Sequence, residues 1–390
     1  MTINPTSRTR HLLTIGHSYV VALNRGLPRA IAAESSGGWK LTVLAPRAVR
    51  AALRTIELED AAAEPFDLQR ISLFVSKSPQ LRFYGWQLRR AMQTPADLIF
   101  SWTEPYTVSG YQIASLAPRQ VPFLFWTAQN LSKRYPFPFG WFERYCLRRA
   151  DGWLACGQSI HNTMAARGYT SKPSRIAGLG IDPAHFCPDP GLRERIRAEL
   201  GFSDARLPVI GYSGRFVPEK GIPMLLRVLE RLSHPFNAVF LGNGPLLGEL
   251  EAFAARFPGR VRICSSVKHA QMPAYMNALD VLAAPSQTTA VWKEQFGRMI
   301  VEAFACGVPV IASDSGEIPF VVGDAGVVAP EADEAAWGRA LDRLLADESE
   351  RARYRAAGLE RVHACFTWNA IARIYIDFFE ELLASPNRST

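Results

Sequence analysis

Two carboxylates, Glu294 and Glu302, stand eight positions apart in segment 292–313, whose sequence is WKEQFGRMIVEAFACGVPVIAS. Apolar residues recur at helical spacing over 297–305, which predicts a helix there, and the apolar run VPVIAS that follows predicts a buried parallel strand. If the helix begins near Phe296, Glu294 lies just before it and Glu302 lies about two turns inside it. The two acids would then contact one ligand at different depths.

The start of this helix can hold an anion. Its first backbone N–H groups have no partner within the helix, and Gly297 lets a ligand approach them closely, so a phosphate or a polyhydroxyl ligand fits there. A carboxylate accepts hydrogen bonds from paired sugar hydroxyls, so an acid beside such a helix end favours a phosphorylated sugar. The alternative is that Glu294 is a solvated loop acid and Glu302 a surface residue, since the helix dipole favours acids near helix starts.

Two cations, Arg215 and Lys220, occur in the loop GRFVPEKG at 214–221, directly after the predicted strand LPVIGYS. Two cations beside glycines can neutralise a diphosphate, because the backbone can approach the ligand closely. The loop is not a Walker A motif, which requires GxxxxGK followed by Ser or Thr. Surface charge is the alternative, but a GNG turn at 242–244 and the two acids also follow strands in this half, which favours a ligand site.

The 390 residues exceed what one hydrophobic core usually supports, so two domains are expected. Strands and helices alternate in both halves, which predicts an α/β chain of two Rossmann-like domains with parallel sheets. We place the first domain at 1–190, completed by a C-terminal helix at 367–390, and the second at 191–366. The boundary follows a segment rich in glycine and proline.

Polar residues follow predicted strands in the first half as well. Gly16 ends HLLTIG and His17 follows it, Glu104 comes shortly after ADLIFSW, and Gln129 and Asn130 come shortly after VPFLFWT. Ligand clefts of open α/β sheets form at these strand ends, so these residues are candidates for an N-terminal cleft. A purely structural loop role for His17 is an equal alternative.

The net charge of +8 is concentrated in the first half. Residues 1–190 contain 22 Lys and Arg against 12 Asp and Glu, whereas residues 191–390 contain 22 against 24. Two clusters at 81–93 and 133–150 mix aromatic residues with arginines, which suits an anionic membrane surface or a lipid-linked acceptor. The alternative is that the aromatic rings pack in the hydrophobic core and the charged side chains form a solvated face.

Other partners and locations are not favoured by the sequence. There is no basic run or recognition motif for nucleic acid, no Asp-x-Asp pair or cysteine spacing suited to a metal, and no CxxC pair. The N-terminus lacks the apolar core of a signal peptide, and no run of 18 apolar residues occurs. We therefore expect a cytoplasmic protein, at most peripheral at the inner face of the membrane.

Five motifs together resemble the retaining glycosyltransferases of family 4: SGRFVPEKG, LGNGPLLGEL, DVLAAPS, KEQFGRMIVEAFACGVPVIAS and SGEIPFVVGDAG. They cover roughly residues 209–330. The resemblance implies the GT-B architecture, two facing Rossmann-like domains with the last helix crossing back to the first. It also implies transfer of a sugar, with retention, from a UDP- or GDP-sugar to a glycan or lipid-linked acceptor, without a metal or another cofactor.

The resemblance also assigns roles. Arg215 and Lys220 would hold the donor diphosphate and stabilise it as it leaves, Glu294 would bind sugar hydroxyls, and Glu302 would bind the ribose. Backbone N–H groups around Phe296, Gly297 and Arg298 would contact sugar and phosphate. The other donor-binding residues would be Gly214, the turn of Gly242, Asn243 and Gly244 by the nucleotide, and Ser266 or Val267 beside the base.

The N-terminal half departs from the family pattern. Many members carry a glycine pair in the first loop, where only Gly16 is present, and a histidine at the position of Gln129. Sugar positioning there would pass to Gln129, Asn130 or Glu104. Two alternatives to transfer onto a glycan or lipid remain: a sugar-phosphate or glycogen-type synthase, and a catalytically silent nucleotide-sugar-binding or membrane-associated scaffold.

Overall fold

The computed structural model describes residues 8–50, 55–59, 63–74 and 78–385. Its chain divides into two compact units: the first runs to Gly180 and includes the chain from Trp368 onward, and the second is Ile181–Thr367. The sequence prediction had placed these boundaries near residues 190 and 366. The last residues of the predicted helix 367–390, from 386 on, lie outside the described residues, as do the first seven of the chain.

The strands, in chain order, are β1 Arg10–Ile15, β2 Trp39–Pro46, β3 Ala48–Arg50, β4 Thr55–Glu57, β5 Asp67–Ile71, β6 Leu73–Phe74, β7 Phe83–Tyr84, β8 Leu98–Ser101, β9 Phe123–Thr127, β10 Gly152–Ala155, β11 Ser174–Ile176, β12 Val209–Ser213, β13 Asn237–Leu241, β14 Val261–Cys264, β15 Val281–Ala284, β16 Val310–Ser313 and β17 Val327–Ala329.

The helices are α1 Gly26–Glu34, α2 Gln87–Ala91, α3 Val108–Leu116, α4 Phe139–Arg149, α5 Gln158–Ala166, α6 Pro190–Leu200, α7 Ile222–Glu230, α8 Leu247–Arg256, α9 Met272–Asn277, α10 Arg298–Ala305, α11 Ile318–Val322, α12 Glu334–Ala346, α13 Glu348–Arg361 and α14 Trp368–Ala384. Short 3₁₀ turns and one π-helical turn at Val362–Phe366 complete the described elements.

The first unit is built on a seven-stranded parallel sheet in the order β11-β10-β9-β8-β1-β2-β5. Its central strands are buried apolar runs, as expected for a sheet covered on both faces. The C-terminal helix α14 belongs to this unit, where the Tyr375 and Phe379 rings pack against Phe100 of β8. The predicted return of the last helix to the first domain is confirmed.

The second unit is a six-stranded parallel sheet in the order β14-β13-β12-β15-β16-β17. The helix that follows β15 is α10, and β16 follows it, so the segment that the sequence singled out forms one crossover of this sheet. Seven of the eight residues of α10, from Met299 to Ala305, are buried. The predicted α/β class with two parallel sheets is confirmed.

Several elements were not predicted. Helix α6 begins where the sequence placed a domain boundary: Asp189 caps its start by accepting a hydrogen bond from the Leu192 N–H at 2.9 Å. Helix α13 is largely polar and buries few residues, so its apolar spacing gives little signal. Within the described ranges, no helix is both long enough and apolar enough to span a bilayer.

Candidate functional site

The cation loop 214–221 lies beside the GNG turn at the carboxyl ends of β12 and β13. Gly214 N–H donates to the Leu241 carbonyl at 2.9 Å, and Phe216 N–H donates to the Asn243 carbonyl at 2.9 Å. The two loops therefore form one backbone-bonded surface at the edge where parallel sheets bind ligands. Gly242 and Gly244 lie on this surface on either side of Asn243.

Lys220 and Glu294 form an ion pair. Lys220 Nζ lies 2.5 Å from Glu294 Oε2, and the Ser286 hydroxyl donates to the same oxygen at 2.8 Å. Both charged side chains are largely buried, with 14% and 9% of their surface exposed. The Nζ atom also lies 5.0 Å from the centroid of the Trp292 ring, within cation–π range.

Arg215 is placed differently. Its side chain is 63% exposed and lies 3.7 Å from Glu219, while the Tyr212 hydroxyl donates to its backbone carbonyl at 2.8 Å. An exposed pair at this distance contributes little to stability. The Arg215 guanidinium can therefore reorient towards an anion, whereas Lys220 is held in place.

The backbone at Glu294 is packed against the loop after β16. Glu317 N–H donates to the Glu294 carbonyl at 3.0 Å, and Gly316 has φ +59°. A Cβ atom on Gly316 would lie 2.1 Å from that carbonyl oxygen, so only glycine fits. This close contact fixes the position from which the Glu294 side chain extends.

Helix α10 begins at Arg298, with Gly297 as its N-cap at φ +81° and no side chain capping it. The predicted depth of Glu302 was wrong: with this start Glu302 is the fifth helical residue, just over one turn from the N-terminus rather than about two. Phe296 is 5% exposed and packs edge-on against Phe366. Its side chain is therefore core, and only its backbone is a candidate for ligand contact.

Glu302 is bonded to His269. The His269 Nε2 atom lies 3.1 Å from Glu302 Oε1, and the Glu302 side chain is 7% exposed against 43% for His269. His269 follows β14 in the same loop as Ser266 and Val267, the predicted neighbours of the base. Among the residues that the structure describes, no group of three or more His, Cys, Asp or Glu could hold a metal ion.

In the first unit, Glu104 joins two strand ends. Its carboxylate accepts hydrogen bonds from the Thr127 hydroxyl at 2.7 Å and from the Ala128 N–H at 2.8 Å. Burial raises the pKa of Glu104 to about 7, because its effect is larger than that of the two hydrogen bonds, which lower the pKa. Glu104 thus holds the loop after β9 next to the loop after β8.

Gln129 and Asn130 are buried in that loop, with 8% and 6% of their surface exposed. The Gln129 amide donates to the Tyr135 hydroxyl and accepts from the Leu131 N–H, and the Asn130 carbonyl accepts from Thr163. The Gln129 side chain therefore folds its own loop. The predicted role of these two residues in binding a sugar stays a prediction.

Gly16 and His17 lie at the carboxyl end of β1. Gly16 N–H is 3.4 Å from the Leu44 carbonyl, and a Cβ atom there would lie 3.1 Å from Trp102 Cβ. Burial and the nearby Arg82 guanidinium lower the pKa of His17 to about 4, so its imidazole is neutral at pH 7.

Sequence reasoning missed three residues at the site of the second unit: Ser286, Trp292 and His269. It singled out the cluster 81–93, which includes Arg82, but only as a membrane surface or a site for a lipid-linked acceptor. Trp292 and Ser286 lie within or just before the segment that drew attention to Glu294, so their proximity in sequence was a usable signal. His269 gave none, because its contact with Glu302 joins residues distant in the chain.

Parts of the chain are similar in sequence to known proteins. Residues 193–361 match the family model described as "Glycosyl transferases group 1". The chain is 32% identical over 264 residues to a D-inositol 3-phosphate glycosyltransferase of Salinispora tropica, covering 62% of this chain and 53% of that protein. It is 36% identical over 188 residues to a GDP-mannose-dependent alpha-(1-6)-phosphatidylinositol monomannoside mannosyltransferase of Mycolicibacterium smegmatis, covering 46% and 49%. The chain thus spans about half the length of these curated relatives.

Solved structures share the fold over nearly the whole chain. Anabaena Alr3699/HepE in complex with UDP and glucose has a TM-score of 0.72 at 18% identity, covering 95% of this chain and 100% of that one. A glycosyltransferase from Rickettsia africae has a TM-score of 0.75 at 15% identity, covering 97% and 99%. At these identities the likeness shows the fold alone, which is the GT-B class. The chain thus has the GT-B fold, and its segment 193–361 matches the group 1 glycosyl transferases. That segment contains Arg215, Lys220, Glu294 and Glu302.

Proposed function

We propose that this protein is a retaining glycosyltransferase of family 4 that moves a sugar from a nucleotide diphosphate sugar to a glycan or lipid-linked acceptor. The observation that carries the proposal is the 2.5 Å contact between Lys220 Nζ and Glu294 Oε2. These two residues come from separate strand ends, and the matched family segment contains both. A cation for the diphosphate and an acid for the sugar hydroxyls therefore meet at one point.

The chemistry follows from where charge develops. Breaking the bond between the anomeric carbon and the phosphate builds negative charge on the diphosphate, so Lys220, Arg215 and the N-terminus of α10 stabilise the leaving group. When the diphosphate attracts Lys220, Glu294 is released from its ion pair and can accept hydrogen bonds from sugar hydroxyls. The acceptor attacks on the face that the diphosphate leaves and gives its proton to the leaving phosphate, which retains the configuration without a metal.

The donor is a UDP- or GDP-sugar in this proposal. It is supported by one solved relative whose structure contains UDP and glucose, and by one curated relative described as GDP-mannose-dependent. Glu302, held by His269, binds the ribose, and the loop with Val267 borders the base. No feature of the described residues separates the two bases.

Thermal-shift titration with UDP, GDP and ADP tests the donor site. We expect a concentration-dependent rise in melting temperature with UDP or GDP, and a smaller rise in Glu302→Gln, because bound ligand stabilises the folded state by mass action. Absence of stabilisation by all three nucleotides would overturn the proposal.

We also propose that the protein is cytoplasmic and that its first unit contacts an anionic membrane surface from the inner face. Trp86 is 70% exposed and Phe137 is 86% exposed, and Arg89 and Arg90 are exposed on α2. Exposed rings beside arginines suit a lipid interface. Sedimentation with phosphatidylglycerol vesicles checks this: binding should weaken with salt and in Trp86→Ser, and equal sedimentation with neutral vesicles would contradict it.

A further inference from the structure

Arg82 is a buried cation without an acidic partner. The residue is 8% exposed, and its Nη2 atom donates to the Arg50 carbonyl at 2.7 Å, while its Nε atom has no hydrogen-bond partner. No carboxylate of the described residues forms an ion pair with it. Burial lowers the pKa of this guanidinium, which reflects the cost of its unbalanced charge.

The groups around Arg82 cannot supply the missing negative charge. His17, whose pKa Arg82 helps to lower, is neutral at pH 7. Burial raises the pKa of Tyr84, so its phenol also stays neutral. The Tyr84 hydroxyl lies next to the Thr103 hydroxyl, whose interaction with it lowers that pKa in part.

These groups come together at the carboxyl edge of the first unit's sheet. His17 follows β1, Thr103 follows β8, and Arg82 and Tyr84 belong to the segment that pairs with β6. The buried hydroxyls of Tyr84 and Thr103 therefore accompany an unpartnered guanidinium N–H in the place where open α/β sheets bind ligands. Buried polar groups normally have partners, so the unpartnered N–H of Arg82 at this edge indicates a ligand.

Water can bond to the hydroxyls and to the accessible part of the guanidinium, but it does not supply a negative charge that pairs with the cation. A ligand with an anionic oxygen group can do both, since a carboxylate or phosphate accepts from the guanidinium and from hydroxyls at once. We propose that Arg82, with Tyr84 and Thr103, binds a phosphate or carboxylate group of the acceptor. The site itself stands on the geometry of the first unit, and only the identification of its ligand as the acceptor rests on the proposed transfer.

The proposal makes a specific statement about stability. A structural arginine stabilises the empty protein, whereas an arginine kept for a ligand leaves the empty protein with an uncompensated buried charge. Arg82→Met keeps the apolar stem and removes the charge, so the unliganded variant should melt at the same temperature as the wild type or higher. Arg89→Met is the matched control, because Arg89 is an exposed arginine on the adjacent helix α2.

Binding is measured by NMR of ¹⁵N-histidine-labelled protein at pH 7, with the His17 signal assigned by its absence in His17→Gln. Inorganic phosphate should shift the His17 signal in the wild type and in Arg89→Met, and should bind at least about tenfold more weakly in Arg82→Met, the equivalent of about 1.4 kcal/mol. Tyr84→Phe removes one hydroxyl with little change in shape and should weaken binding several-fold, so the test does not depend on one variant. An equal response in Arg82→Met and wild type, or none in wild type, overturns the proposal.

Three further ligands separate the possible sources of the anion: glucose 6-phosphate, glucuronate and a short-chain phosphatidic acid. The one that saturates the His17 shift at the lowest concentration identifies the group as a sugar phosphate, a sugar carboxylate or a lipid phosphate. Lys220→Ala should leave the shift unchanged, because Lys220 belongs to the second unit. The His17 shift in Lys220→Ala therefore distinguishes a failure of the donor site from a failure of the anion site.

Discussion

The candidate sites of the two units differ in how they compensate buried charge, although the first unit also contains buried ion pairs such as Arg25 with Glu64. In the second unit, Lys220 is paired with Glu294, and Glu302 is bonded to His269. At the candidate site of the first unit, the one hydrogen-bond partner of Arg82 among the described residues is a carbonyl, and burial raises the pKa of Glu104 to about 7.

The difference indicates two ways of preparing a site. Paired charges are stable without a ligand, so a ligand at the second unit must exchange one ion pair for another. Unpaired charges cost stability without a ligand, so a ligand at the first unit relieves that cost. Substitutions at the two sites should therefore affect activity and stability differently.

Lys220→Ala is expected to give the largest effect. Loss of the cation that stabilises the leaving diphosphate should lower kcat by about 10²- to 10³-fold, the range for removing one group that stabilises transition-state charge. The variant also removes the cation that pairs with the buried Glu294 carboxylate. The melting temperature of the variant should therefore fall as well. Initial rates and calorimetry measure both.

Arg227→Ala is the control for Lys220, because it removes a half-exposed cation of the same unit that pairs with Glu334. It should leave kcat within about twofold, as expected for a surface pair. Full activity in Lys220→Ala would refute the assigned role and remove the contrast between the units.

Glu104→Gln should change the pH dependence of stability. Because the pKa of Glu104 is about 7 in the folded protein, above its ordinary value of 4.5, its contribution is present below pH 4.5 and is lost as pH rises to about 7. The free energy of unfolding of the wild type should therefore fall by on the order of 2 kcal/mol across this window relative to Glu104→Gln. Chemical denaturation at several pH values measures the difference.

Glu57→Gln is the control for Glu104, since it removes an exposed acid of the same unit. Its stability should follow the pH profile of the wild type. Parallel profiles for Glu104→Gln and the wild type would show that Glu104 titrates as an ordinary acid, and the units would then differ only at Arg82.

Trp292→Ala is expected to have the smallest effect. Its ring lies 5.0 Å from Lys220 Nζ, and a cation–π contact of about 0.5–1 kcal/mol corresponds to a two- to fivefold rise in the KM for the donor. Trp292→Phe should recover most of the loss. Val291→Ala, at a position 72% exposed, should have no effect, and a loss as large as that of Trp292→Ala would assign the effect to the loop rather than the ring.

The sequence predicted much of the fold because the relevant signals are local. The apolar runs at β12 and β16 and the helical spacing at α10 depend on neighbours within a few positions, and the structure has strands and a helix there. The signal was weaker where a helix is polar, as in α13, and at α6, which falls on the predicted domain boundary. The positions of the predicted strand ends also indicated which loops lie at the carboxyl edge of each sheet, where ligands bind.

The candidate site was predicted in part for the same reason. Residue type and spacing in the sequence were enough to identify four candidates: Arg215, Lys220, Glu294 and Glu302. Whether a side chain is free to bind could not be read from the sequence: Gln129 is used to fold its own loop, and Phe296 is buried in the core.

The sequence by itself therefore determined the alternation of strands and helices in both halves and the residue types available at the predicted strand ends. Only the tertiary structure decided which charges meet. Lys220 pairs with Glu294 across 74 positions, His269 bonds to Glu302 across 33, and Arg82 lies beside His17 with no ion pair to an acid that the structure describes. The physical reason is that charge compensation depends on distance and burial between segments far apart in the chain, which no local pattern records.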